Sequence, residues 1–97
     1  MKDKNQIIEI IRDYLITFNE ISFAYLFGSF VKSDRYEDID IAVFLNKDFD
    51  YKNLNKFPYG YHSFLIGNLC LKLKTDNVDL VLLNESDLFL FKKIITT

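Results

Sequence analysis

Asp38 and Asp40 are separated by a single residue in the run Glu37-Asp38-Ile39-Asp40-Ile41-Ala42-Val43. On an extended strand, side chains two residues apart point the same way, so the two carboxylates share one face several ångströms apart. Like charges that close repel, and relief comes from a shared proton, a basic partner or a divalent cation. Magnesium prefers oxygen ligands and typically takes one or two carboxylates, completing its shell with water and substrate phosphates. A third acid, Asp79, interrupts the aliphatic run Val78-Asp79-Leu80-Val81-Leu82-Leu83, where an unpaired charge would be costly to bury. If the two strands are neighbours, the three acids can hold two metal ions that clamp the attacking and leaving oxygens of a phosphoryl or nucleotidyl transfer. Gly28-Ser29 offers the complementary half. Glycine lets backbone amides approach a phosphate closely, and the serine hydroxyl can donate to one of its oxygens. Taken singly, Gly-Ser is a turn and Asp-x-Asp a solvated strand end; the joint order of the motifs points to chemistry.

The surrounding pattern supplies elements to position them. Ile7, Ile8, Ile11, Tyr14, Leu15 and Phe18 recur at three- and four-residue steps, which predicts an amphipathic helix capped by Asp3 and ending near Asn19. The aromatic, apolar stretch 21–27 reads as a buried strand delivering the chain to the Gly28-Ser29 turn. Residues 30–36 have room for one or two helical turns. Ile39, Ile41, Val43 and Leu45 alternate with Asp38, Asp40, Ala42 and Phe44, a second strand. Stretch 46–60, with the chain's one proline, Pro58, reads as a long loop, either a lid or simply mobile. A helix over 61–74, a turn at Thr75-Asp76-Asn77, a third strand over 78–83 and a closing helix over 84–97 complete an α/β (α+β) order without internal repeat.

Bulk properties narrow the alternatives. With 97 residues there is room for one domain, 1–97, and 49% hydrophobic residues, with ten Phe and six Tyr, are enough for a folded core. A net charge of -2 with interspersed signs gives no footprint for direct nucleic-acid binding. Cys70, the sole cysteine, lies in an apolar run and reads as a small buried hydrophobe; an intrachain disulfide and a cysteine-rich zinc site are excluded. No apolar stretch approaches the ~20 residues needed to span a bilayer, so a cytoplasmic protein is expected. His62 reads as a helix-surface residue. Phe49, Tyr51, Phe57, Tyr59 and Tyr61 either form an interface, as in a homodimer, or complete the core.

Phe27-Gly28-Ser29-Phe30 followed by Asp38-Ile39-Asp40-Ile41-Ala42-Val43 resembles the minimal nucleotidyltransferases of the DNA polymerase β superfamily. Val78-Asp79-Leu80-Val81-Leu82-Leu83-Asn84 looks like that family's third-carboxylate strand. The similarity runs over nearly the whole chain. It implies a small mixed β-sheet flanked by helices, ATP or another nucleoside triphosphate as donor, and Mg²⁺, two ions, as cofactor. Carried over by residue, Gly28 and Ser29 would hold the donor's phosphates, Asp38 and Asp40 would bind both metals, and Asp79 would complete the second metal site and help to activate the acceptor hydroxyl. Lys32 stands where the family often has a basic residue, to assist a phosphate or simply as an exposed lysine. The connector from Phe30 to Glu37 is shorter than the family's usual one, and Ser33 replaces a common glycine.

Small members of this family are frequently antitoxins paired with a HEPN ribonuclease toxin, which some of them silence by adding AMP to a tyrosine. The resemblance implies that role here, with a HEPN-type toxin as partner. Two other functions remain open: a catalytically degenerate module that neutralises its partner by occupying it, and a transferase acting on a small molecule, as the aminoglycoside enzymes do.

Overall fold

The run that carries Asp38 and Asp40 becomes the central strand of a three-stranded sheet in a computed structural model that describes residues 3–85. The elements follow one another as α1 (Lys4–Leu15), β1 (Ile21–Phe27), a single helical turn α2 (Ser29–Lys32), β2 (Ile39–Leu45), α3 (Tyr61–Leu73) and β3 (Val78–Leu82), then a 3-10 turn (Leu83–Glu85). β1 pairs with β2 antiparallel and β3 pairs with β2 parallel, giving the order β1-β2-β3. Parallel neighbours must begin at the same end of the sheet, so α3 returns the chain along its length. This is the small mixed sheet with helices that the family resemblance implies.

Period two along β2 sorts its side chains between two faces. Ile39, Ile41, Val43 and Leu45 are at most 3% exposed, and they meet Val78, Leu80 and Leu82 of β3 in one core. Both long helices add to that core through residues four apart: Ile7, Ile11 and Leu15 from α1, and Leu65, Leu69 and Leu73 from α3. Asp3 starts α1 with a capping box, accepting from the Gln6 amide at 2.8 Å while Gln6 Oε1 accepts from the Asp3 amide at 3.0 Å. Asp3→Ala is expected to cost about 1 kcal/mol and to lower the melting temperature by several degrees, as thermal denaturation would record.

Several boundaries move, each for a tertiary reason. α1 stops at Leu15, short of Asn19, and the chain turns so that Phe18 meets Tyr14 edge-on at 5.0 Å and Phe64 of α3 at 6.0 Å. α3 ends at Leu73 because Lys74 takes the left-handed conformation, φ 57°. β3 ends at Leu82, one residue early. Asn84 then brackets the end of β2, its Oδ1 accepting from Leu45 N at 2.8 Å and its Nδ2 donating to Leu45 O at 3.0 Å. The expected closing helix begins instead with this 3-10 turn, and the rest of it, 86–97, lies outside the described residues.

Stretch 46–60 is irregular, as expected, but it leaves the far end of β2 from Asp38, roughly 20 Å away along a seven-residue strand. It therefore does not cover the acids as a lid. Phe49, Tyr51 and Phe57 pack on the core and Tyr61 is 1% exposed, so these four complete the interior, while Tyr59 is 90% exposed. The Tyr61 hydroxyl donates to Glu20 at 2.9 Å, and burial, then Glu20, pushes its pKa up and keeps it a donor. His62 sits on the surface of α3, as expected, with Nε2 against the Leu80 carbonyl. Cys70 is half-buried, its thiol pKa raised by burial and then by Asp76. No described helix is long and apolar enough to cross a membrane.

Candidate active site

Strand register brings the acids together. Asp40 is the second residue of β2; it stands opposite Phe27, the last residue of β1, and level with Asp79 on β3. Asp38 immediately precedes β2, and Ile39 N donates to Asn77 O at 2.9 Å, locking the starts of β2 and β3 side by side. The three carboxylates thus occupy one end of the sheet, on the face turned away from α1 and α3. Asp38 and Asp79 are exposed, and Asp40 is half-buried.

Gly28 closes the site from the β1 side. Its backbone, φ 75° and ψ -155°, lies in a region essentially reserved for glycine. It is also crowded: a Cβ there would stand 2.2 Å from Asp40 Oδ2. The missing side chain is what lets the Asp40 carboxylate lie against the turn. From Gly28 the chain enters α2, with Val31 N and Lys32 N donating to Gly28 O at 3.2 and 3.3 Å. Phe30, 1% exposed, anchors that turn in the core and meets Tyr36 edge-on at 4.7 Å. Ser29 faces solvent beside Gly28.

The electrostatics match the crowding. Burial, then Asp79, then Asp38, raises the Asp40 carboxyl above its ordinary pKa. No lysine or arginine nitrogen lies within 4.0 Å of the three acids among the described residues, where the one such ion pair is Arg12–Asp13. Among the described residues, then, a basic partner, one of the three routes to relief, is not used. The donor set suits a hard cation such as Mg²⁺, all oxygen and in need of positive charge. The side chains are not gathered on one point: among the described residues no three acidic, histidine or cysteine groups converge closely enough to hold a single ion. Two carboxylates with water and phosphate oxygens satisfy magnesium, so the set fits without such convergence.

Gly28, Ser29, Asp38, Asp40 and Asp79 are thus brought to one sheet end. Lys32 follows at the last position of α2, exposed and outside any ion pair among the described residues. A cavity of about 590 Å³ opens nearby, lined by Gln6, Tyr36, Glu37, Ile39, Lys74 and Asn77 among others, and includes none of the acids. The chemistry of the carboxylates, not cavity size, locates the site. What the motif pattern did not show is how the connector is held; Phe30 and Tyr36 are aromatic residues in a polar stretch, the one local hint.

The polymerase beta nucleotidyltransferase family matches the chain over residues 5–97. No curated protein matches it in sequence. Among solved structures, a toxin–antitoxin complex with AMP-PNP contains a chain 30% identical to this one, with a TM-score of 0.63 over 99% of this chain and 69% of that one. A Shewanella oneidensis complex of a tri-AMPylated HEPN toxin with its MNT antitoxin gives 31% identity and a TM-score of 0.59 over 97% and 64% of the two chains. A mutant MntA–HpeT toxin–antitoxin complex gives 29% and 0.63 over 98% and 68%. The chain spans roughly two thirds of the length of these proteins.

Proposed function

This chain belongs to the polymerase beta nucleotidyltransferase family, and from that premise we propose that it transfers AMP from ATP to a tyrosine hydroxyl of a partner protein, a HEPN-type toxin that it silences. The observation that carries the reading is the level pairing of Asp40 with Asp79, beside Asp38 and against the Gly28 turn. The AMPylated toxin and the AMP-PNP complex among its structural relatives support the same choice of acceptor and donor.

In this reading Gly28 and Ser29 hold the donor's phosphates, with Lys32 steadying one of them, and Asp38, Asp40 and Asp79 hold Mg²⁺. The bound ions would supply charge neutralisation along the phosphates. Asp79, exposed at the β3 edge of the cluster, takes the proton of the acceptor hydroxyl. The acceptor oxygen bonds to the α-phosphorus, the bond to the bridging oxygen breaks, and pyrophosphate leaves from the Gly28–Ser29 side. We place the reaction in the cytoplasm.

ATP labelled at the α-phosphate, incubated with Mg²⁺, this protein and the product of the neighbouring gene, is expected to label that partner, whereas γ-labelled ATP is not. No label on the partner from a folded protein overturns the reading. The short connector from Phe30 to Glu37 favours one alternative, a module that neutralises its partner by occupancy alone. That alternative requires an Asp38→Asn, Asp40→Asn double variant to protect cells as well as wild type; the transfer reading expects protection to be lost.

A further inference from the structure

We propose that Lys4 is a positioning residue for the transfer site, tying the connector between the Gly28–Ser29 turn and Asp38 to the start of α1. The inference rests on the proposed transfer reaction and deepens it. Lys4 is the first residue of α1, where the unpaired amides of a helix start carry partial positive charge and disfavour a cation. Helix stability therefore does not explain a lysine there: the first turn holds no acid, and the carboxylate of the N-cap, Asp3, accepts from the Gln6 amide. The ammonium group is outside any ion pair among the described residues. It donates instead to the Ser33 carbonyl, 29 positions along the chain. It also stands 5.2 Å from the centroid of the Phe30 ring and 5.5 Å from that of Tyr36, within range of a cation–π contact with both.

All three contacted residues belong to the segment that joins Ser29 to Asp38. The other hydrogen bonds of that segment are local: Val31 N and Lys32 N donate to Gly28 O, Ser33 N donates to Ser29 O at 2.9 Å, and Arg35 N donates to Ser33 Oγ at 3.1 Å. Those bonds shape the connector from within, and Phe30 and Tyr36 rest its two ends on the core, while Ser33 between them is exposed. Lys4 reaches in from another element and holds the start, middle and end of the connector at once. The connector sets the separation between the turn and the first acid, and a displacement of about 1 Å in such a constellation costs on the order of a hundredfold in rate.

Lys4→Met keeps most of the stem and removes the cation and donor, while Lys4→Arg restores both. At saturating ATP, Mg²⁺ and partner, Lys4→Met is expected to lower kcat about tenfold, leaving KM for ATP within about twofold and lowering the melting temperature by no more than a few degrees, so that the variant is folded at the assay temperature. Lys4→Arg is expected to recover most of the rate. Amide hydrogen exchange over residues 33–38 is expected to quicken in Lys4→Met alone. A wild-type rate in Lys4→Met, a rate loss that disappears when the assay is run well below the variant's melting temperature, or an arginine variant no better than the methionine one overturns the proposal. If the wild-type protein transfers nothing, the transfer reading fails by itself. Exchange over 33–38 then decides the clamp, and an unchanged pattern in Lys4→Met overturns it.

Discussion

Asp40→Asn is expected to lose about a thousandfold in nucleotidyl transfer and, in metal-free buffer at neutral pH, to melt higher than wild type. The activity loss follows from removing the carboxylate at the centre of the cluster. Charge stabilisation in such sites amounts to several kcal/mol, and each ~1.4 kcal/mol is a factor of ten. The stability gain follows from the direction of the Asp40 pKa, which burial, Asp79 and Asp38 raise in that order. A carboxyl whose pKa is higher folded than unfolded binds its proton more tightly in the native state. Its stabilising contribution is complete below the ordinary aspartate range and is lost as the pH rises through the raised value. At neutral pH the ionised Asp40 therefore weakens the fold, and an amide of the same shape removes the repulsion. Thermal melts in EDTA are expected to favour the variant by a few degrees at pH 7, with the difference vanishing at acid pH. Added Mg²⁺ is expected to raise the wild-type melting temperature and to affect the variant much less. A variant that transfers at the wild-type rate, or melts lower than wild type in EDTA at neutral pH, contradicts the geometry.

Gly28→Ala and Gly60→Ala form a matched pair with different expected outcomes. Both glycines adopt backbone conformations closed to other residues, φ 75° with ψ -155° and φ 91° with ψ 150°. Each alanine is expected to cost about 1–3 kcal/mol in backbone strain, so both proteins melt several degrees lower. Only at Gly28 does the new methyl also collide with the site: its Cβ would stand 2.2 Å from Asp40 Oδ2, whereas nothing lies within 4 Å at Gly60. The Asp40 carboxylate has to move, and Gly28→Ala is expected to lose about a hundredfold in transfer rate. Gly60→Ala should retain its specific rate at a temperature where both variants are folded. Equal rates in the two variants would show that the Gly28–Asp40 contact has no part in the reaction.

Much of the architecture was legible because it is encoded locally. The four-residue recurrence of Ile7, Ile11 and Leu15 and the alternation from Ile39 to Leu45 are consequences of helix and strand geometry, readable without any neighbour. Element ends were less legible, because they depend on contacts remote in the chain. Phe18 continues the helical period yet leaves the helix to meet Phe64, and Asn84 closes the sheet through the backbone of Leu45. The aromatic residues of 46–60 could be counted in advance but not allotted. Phe57 and Tyr61 fill the core at one end of the sheet, while Tyr59, between them in sequence, faces solvent.

At the site itself the division follows the same physics. That Asp38 and Asp40 share a face is a property of an extended chain, readable from their spacing, as are the residue types suited to phosphate and magnesium chemistry. The folded arrangement set Asp79 level with Asp40, because that requires the parallel register of β2 and β3. It likewise decided that Gly28 lies beneath the Asp40 carboxylate, through the antiparallel register of β1 and β2, and that Lys4 reaches the connector from α1. Register and docking arise from the packing of Ile41, Val43, Leu65 and Leu80 into one core, a sum of contacts between segments far apart in the chain that no local pattern contains.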